Sequence, residues 1–392
     1  MLNKIKSWFS AVQNETATTF DFLDPSKKTI LIIDDDLPQH DKSSGSKRLF
    51  ELLKLFKKLN LNIIFLPNNG LKLEPYYTEL KQYGVEVLLN NPDRKGLLNT
   101  LNQLLNKIDY AWISRPMLNI EFQKLIKKNK NTKIIFDTVD LHFVRMLRQA
   151  ENENSEKLKR KAIKFKKLEL ELANKSDATI TVTDTEKVLL ENENIKNVYV
   201  VPNIHQLQMP LQEISFKDRK GIVFIGGYKH EPNIDAVKWF MHEILPKIWN
   251  SLGKIPVYLL GSFPTNEISA FANENVFVPG YIEDVSEYFL KSKVFIAPLR
   301  YGAGMKGKIG QSLEFGLPIV STSIGAEGMN LIHENNVLIA DEADDFANEV
   351  IRLYQNENLW NEIKENAFQA IVAYTPKVVE SKLETIFKNL GA

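Results

Sequence analysis

Arg300, Lys306 and Lys308 crowd into a stretch broken by Gly302, Gly304 and Gly307, inside the run Val294 to Met329 (VFIAPLRYGAGMKGKIGQSLEFGLPIVSTSIGAEGM). Small residues let backbone N–H groups approach an oxygen, and the start of a helix adds partial positive charge. That combination suits an anion. Lys308 and Gln311 stand at i and i+3, so on a helix both face one ligand. The assignment expected here is Lys308 on a diphosphate and Gln311 on adjoining sugar hydroxyls. Lys306 and Lys308 are two apart and cannot point the same way.

The elements around this loop are legible. Val294 to Leu299 reads as an apolar strand, a short helix follows, and Gly316-Leu317-Pro318 stops it before a second strand to Ser323. The loop therefore sits at the carboxyl end of a buried strand, where open α/β sheets bind ligands. Other strands are expected at Thr29 to Asp34, Ile63 to Leu66, Val85 to Leu88, Ala111 to Ser114, Lys133 to Phe136, Ala178 to Val182 and Val198 to Val201. A second set begins at Gly221 to Gly227 and continues with Val257 to Leu260, Val276 to Pro279 and Val337 to Ala340. Helical patterns alternate with them, such as Ser46 to Leu59 with Leu49, Leu52, Leu53, Phe56 and Leu59 on one face. This alternation implies an α/β chain with doubly wound sheets.

Further clusters mark strand ends. Asp137 to His142 (DTVDLH) brings acids and an imidazole to one of them. Asp34, Asp35 and Asp36 end another; neighbouring acids alternate in direction, so they read as caps and no metal site is expected. Ser43-Ser44-Gly45-Ser46 opens a helix, with Ser44 or Ser46 as the expected N-cap. Glu151 to Leu172 reads as one helix with a basic middle, a solvated face by default and a surface for anionic lipid as the sharper alternative.

The chain has 392 residues, 44% hydrophobic and 25% charged, enough for two ordinary domains. A net charge of +1 gives no field that points to nucleic acid, and the lack of cysteine excludes disulfides, thiolate ligands and a cysteine nucleophile. The expected location is the cytoplasm. Met1 to Val12 (MLNKIKSWFSAV) reads as a short amphipathic segment, either a frayed terminal helix or a peripheral membrane contact.

The Val294 to Met329 segment resembles the donor-binding loop of GT-B glycosyltransferases, closest to the retaining family 4. Those enzymes carry two glutamates, the second in a Glu-Ala-Met-Ala-x-Gly-x-Pro run. Aligning Gly316 and Pro318 places Gln311 at the second glutamate and Ala303 at the first, so both depart from the pattern. Lys308-x-x-Gln311 is similar to a branch in which lysine and glutamine contact phosphate and ribose. The resemblance implies a GT-B fold of two Rossmann-like domains with an interdomain cleft. The boundaries expected are an extension over 1–28, an acceptor domain over 29–203, a linker over 204–220, a nucleotide-sugar domain over 221–375 and a returning helix over 376–392.

By the same resemblance, His142, with Asp140 beside it and Lys308 across from it, carries the chemistry. The donor is expected against Gly45, Ser46, Gly226, Gly227, Tyr228, Lys229, Tyr281, Arg300, Gly302, Gly304, Met305, Lys306, Lys308 and Gln311, with Tyr281 stacking on the base. Implied partners are a nucleotide-diphosphate sugar and a saccharide, lipid-linked or protein-linked acceptor in bacterial surface-glycan assembly. No separate cofactor or metal is implied. The alternatives are an inactive GT-B-like scaffold, which the missing glutamates favour, and a sugar-nucleotide epimerase.

Overall fold

The computed structural model describes residue 20, residues 22–206 and residues 214–391; the Met1 to Val12 segment lies outside the described residues. Strand β1 (Thr29–Asp34) is buried along its whole length because its side chains serve two layers. Ile30 and Ile32 face the core that holds Phe56 and Trp112, while Leu31 and Ile33 face the one that holds Phe122.

Around it stand β2 (Asn62–Pro67), β3 (Glu86–Val87), β4 (Tyr110–Ser114), β5 (Lys133–Asp137), β6 (Ala178–Thr181) and β7 (Val198–Val200). They form a parallel sheet of order β3-β2-β1-β4-β5-β6-β7. The second sheet contains β8 (Ile222–Ile225), β9 (Val257–Leu260), β10 (Val276–Gly280), β11 (Val294–Ala297), β12 (Ile319–Ser321) and β13 (Leu338–Ile339). Its order is β10-β9-β8-β11-β12-β13, also parallel. In each sheet the winding reverses next to the first strand, between β1 and β4 and between β8 and β11. Crevices open at such points.

The helix Ser44–Lys58 covers the first sheet through Leu49, Leu52, Leu53 and Phe56. Its N-cap is Ser43, whose hydroxyl accepts from the Ser46 amide at 3.2 Å, not Ser44 or Ser46 as expected. The final helix, Pro376–Asn389, adds Val379, Leu383, Ile386 and Phe387 to the same core, with Phe387 against the rings of Phe56 and Tyr110. The basic helix expected over Glu151 to Leu172 is two helices, His142–Asn152 and Glu156–Lys175. Asn154 between them has φ +50°, a left-handed turn that asparagine tolerates and a helix does not. Ser155 then caps the second helix.

One buried ion pair ties the first lobe together. Arg48 Nη1 donates to Asp137 Oδ2 at 2.7 Å, and Trp112 Nε1 donates to the same oxygen at 2.8 Å. Arg48 also reaches the Val201 carbonyl through Nε and Nη2, at 3.1 and 3.0 Å. Asp137, one of the acids in the DTVDLH cluster, is therefore turned inward to structural work.

Candidate active site

The β11 loop and the helix Gly307–Glu314 form one wall of the crevice beside β8. Lys308 lies over the Phe224 ring, its Nζ 4.8 Å from the centroid, and donates to Asn233 Oδ1. Asn233 is held in turn by donating to the Gly227 carbonyl at 2.8 Å. Gly226 permits this: a Cβ there would sit 2.8 Å from the Asn233 amide group. Among the described residues no carboxylate pairs with Lys308. Burial, followed by the nearby charge of Lys306, pushes its pKa down to about 7. When protonated, this lysine has no carboxylate counterion among the described residues.

The other expected donor contacts divide. Lys306 is buried, donates to the Gly304 carbonyl at 2.9 Å and pairs with Glu327 at 3.3 Å, so its charge is already matched. Arg300 forks onto Asp235 and lies over Trp239. Lys229 sits on the exposed Phe263 ring, 3.9 Å from its centroid. Tyr228 is a core residue, its hydroxyl buried without a hydrogen-bond partner, which overturns its expected donor role. Tyr281, expected to stack on a base, donates its hydroxyl to Asp41 Oδ2 of the first lobe at 2.6 Å. Asp41 also accepts from Tyr76 at 2.7 Å, so the three residues tether the lobes. Gln311 stands half-buried on the same helix as Lys308, its amide without a partner among the described residues.

Glycines bring the first lobe against this loop. Gly304, at φ +68°, would carry a Cβ 3.0 Å from the Asp140 Cβ. A Cβ on Gly307 would meet Ser44 Oγ at 2.3 Å, which places the expected loop Ser43 to Ser46 over the start of the Lys308 helix. Within that loop Gly45 faces open space, and Ser46 accepts from Ser43 Oγ at 2.9 Å. The Met305 sulfur accepts from the Asn203 amide at 3.2 Å. Gly302 offers its carbonyl to Arg148 at 2.8 Å.

The opposite wall is the carboxyl end of β5. Val139 has φ +63°, costly for a β-branched residue, and the turn it makes delivers Asp140 and His142 to the crevice. Asp140 pairs with Arg145 at 2.9 Å. His142 Nδ1 lies 3.2 Å from the Asp140 carbonyl and 3.5 Å from Glu169 Oε1, and its ring lies nearly parallel to Phe165. Burial opposes protonation of His142, but Glu169 and Asp140 outweigh it, and its pKa rises. Glu169 also caps the helix by accepting from the His142 and Phe143 amides at 3.0 and 2.9 Å. Asp34 and Asp35 take the Arg115 guanidinium at 3.0 and 3.1 Å, and Asp36 accepts from Asn69. Among the described residues no group of three acids or histidines is placed to hold a metal.

Several site residues were not singled out by sequence reasoning. His230 stands at the N-cap of the helix Glu231–Trp239, its pKa pushed down to about 4 by burial and then by Lys308 and Arg145. Its charge couples to Lys308 of the second lobe and to Arg145 and Asp140 of the first, so it lies near both. Arg148 crosses from the first lobe to Glu327 of the second in a two-pronged pair, Nη1 to Oε2 at 2.6 Å and Nη2 to Oε1 at 2.8 Å. Through Glu327 it reaches Lys306, so one arginine stitches both ends of the glycine loop. His205, Glu314 and Lys47 form a further bridge, at 2.9 and 3.2 Å. Only the Gly-Gly turn ahead of His230 hinted at any of this.

Comparison with known proteins agrees with this architecture. Residues 219–356 match the family described as glycosyl transferases group 1, which bears out the resemblance drawn from the glycine loop. An uncharacterized 44.6 kDa protein of the cps region of Klebsiella pneumoniae is 26% identical over 178 residues, 43% of this chain. That alignment spans 45% of the relative, less than half its length. Among solved structures, Anabaena Alr3699/HepE in complex with UDP and glucose superposes with a TM-score of 0.70 at 12% identity, covering 92% of this chain and 99% of that one. An S. aureus TarM variant in complex with fondaparinux, α-GlcNAc-glycerol and UDP gives 0.68 at 12%, covering 92% and 99%. Sucrose-phosphate synthase from Thermosynechococcus elongatus gives 0.67 at 13%, covering 93% and 99%. The fold is GT-B: two Rossmann-like parallel-sheet lobes with a cleft between them.

Proposed function

We propose that this chain is a glycosyltransferase that moves a sugar from a nucleotide-diphosphate donor to a saccharide or lipid-linked acceptor. The observation that carries this reading is Lys308, a desolvated lysine without a carboxylate partner among the described residues, at the helix start beside the winding switch of the second sheet. As the anomeric C–O bond breaks and a bond from the acceptor oxygen forms, negative charge collects on the departing diphosphate. Lys308 and the loop amides are already oriented toward that charge, and water need not reorganise to stabilise it. Gln311 contacts the ribose. Asp140 and His142 lie across the loop, His142 held by Glu169, where they hydrogen-bond the transferred sugar. UDP in the complexes of HepE and TarM supports uridine as the base to try first. The proposal includes retention of configuration, transfer without a divalent ion, and a place in surface-glycan assembly; the cps-region relative supports the last.

Ala303 and Gln311, where the resembled family has glutamates, favour a second reading: a GT-B-like subunit that binds partners without transferring sugar. A thermal-shift panel of nucleotide diphosphates and their sugars, followed by product analysis with an added acceptor and EDTA, separates the two. The transferase is expected to be stabilised by one nucleotide and to release it with EDTA present. No shift with any nucleotide contradicts the proposal, and release of an isomerised donor without acceptor points to an epimerase.

Arg148→Ala tests the coupling of lobe contact to the donor loop. The forked pair with Glu327 is about a quarter exposed on the arginine side, 25% against 17% for the glutamate. Its loss is expected to cost about 1–2 kcal/mol, between exposed and buried pairs. The expected result is a donor KM raised roughly tenfold with a smaller change in kcat, partly restored by Arg148→Lys.

A further inference from the structure

The outer face of the helix Glu156–Lys175 is unused by the site and by the core. Lys157, Arg160, Lys161, Lys164 and Lys167 fall at helical spacing on one side, all of them exposed. None of the five forms an ion pair or hydrogen bond with the described residues. The other three lysines of the helix are paired: Lys159 with Glu156 and Lys166 with Glu193 away from the stripe, and Lys175 with Glu171 at its C-terminal end. Ile163 lies in the row between Arg160 and Lys167 and is 57% exposed. The chain as a whole is almost neutral, at +1, so this stripe is a local concentration of charge.

We infer that this face docks the first lobe on an anionic phospholipid bilayer. Unpaired cations at helical spacing match a plane of phosphate headgroups, and the exposed isoleucine among them matches the hydrocarbon edge beneath. An anionic polysaccharide or nucleic acid would use the cations but gives Ile163 nothing to bury against. The inner face of the same helix carries Phe165 and Glu169, which stack on His142 and hold it. The bilayer would therefore lie about one helix diameter, roughly 10 Å, from His142. An acceptor saccharide on a lipid carrier spans that gap while its anchor stays in the membrane. This choice of acceptor rests on the transferase reading; docking itself does not, so the two fail separately.

The test is sedimentation of the full chain with vesicles. Wild-type protein is expected to bind equal mixtures of phosphatidylglycerol and phosphatidylcholine, to ignore pure phosphatidylcholine, and to be released by high salt. Lys157→Glu with Arg160→Glu and Lys164→Glu is expected to weaken binding on the order of a hundredfold or more. A control triple with the same charge change on other exposed lysines, Lys95→Glu, Lys107→Glu and Lys130→Glu, is expected to bind nearly as well as wild type. Ile163→Ser alone is expected to weaken binding several-fold and checks the face without altering charge. Equal loss in both triples overturns the proposal, as does a wild-type protein held by an anionic polysaccharide column but indifferent to vesicles. Turnover with a water-soluble acceptor is expected to survive the stripe substitutions, which shows that the transferase site is intact.

Discussion

Lys308→Ala is expected to lower kcat/KM for sugar transfer by about 10²–10³-fold, the effect of removing one preorganised donor from a site of developing charge. The size follows from what Lys308 lacks. Arg300 has Asp235 and Lys306 has Glu327, whereas the hydrogen bond from Lys308 goes to a neutral amide. In the proposed reading a diphosphate completes its environment, and more so as negative charge builds on leaving. The substitution leaves the fold intact, because the buried charge it removes is a burden on the empty protein. The folded pKa of about 7 lies below the usual lysine value of 10.5. Between those values the unfolded chain binds more protons, so this group makes stability rise with pH, and its contribution is lost as pH falls toward 7. The alanine variant is expected to lose that slope. Steady-state rates together with thermal melts across this pH window check both halves.

Asp137→Ala is expected to destabilise the first lobe by about 3–5 kcal/mol, the typical result of leaving one member of a buried pair uncompensated. Both partners are nearly inaccessible, Arg48 at 3% and Asp137 at 1%. The substitution strands the Arg48 guanidinium and also leaves the Trp112 indole N–H without its acceptor. A fall in melting temperature on the order of 10 °C is expected for that lobe. Replacing both charges, Arg48→Met with Asp137→Leu, is expected to recover much of the loss, because it removes the stranded charge as well as the pair. If Asp137 instead served the reaction, Asp137→Ala would depress turnover well below its melting transition.

The sheets were legible because buried parallel strands announce themselves: every strand from β1 to β13 overlaps an apolar run identified in the sequence. Lys308 was legible for a related reason, since the strand, glycine turn and helix that position it are contiguous. Partnerships were not. Arg148 and Glu327 are 179 positions apart, and nothing local to either indicates that they meet. The same holds for Tyr281 and Asp41, 240 apart: the glycine turn shows the aromatic but not the carboxylate its hydroxyl reaches. Tyr228 misled because a residue after two glycines resembles a site residue, while the turn folds its ring into the core. The basic helix was extended too far toward its start because helical composition continues through Asn154, and only the left-handed backbone there breaks it.

The most direct measurement is the proton balance of nucleotide binding. Titrating uridine diphosphate calorimetrically at pH 8, in buffers of different ionisation enthalpy, counts protons taken up. Lys308 is mostly neutral in the empty protein at that pH and charged against a diphosphate, so uptake of about one proton is expected. Lys308→Met is expected to take up none and to bind much more weakly, and wild-type affinity is expected to fall as pH rises above 7. Binding without proton uptake, or with the same uptake and affinity in Lys308→Met, would contradict the claim that this lysine grips the diphosphate.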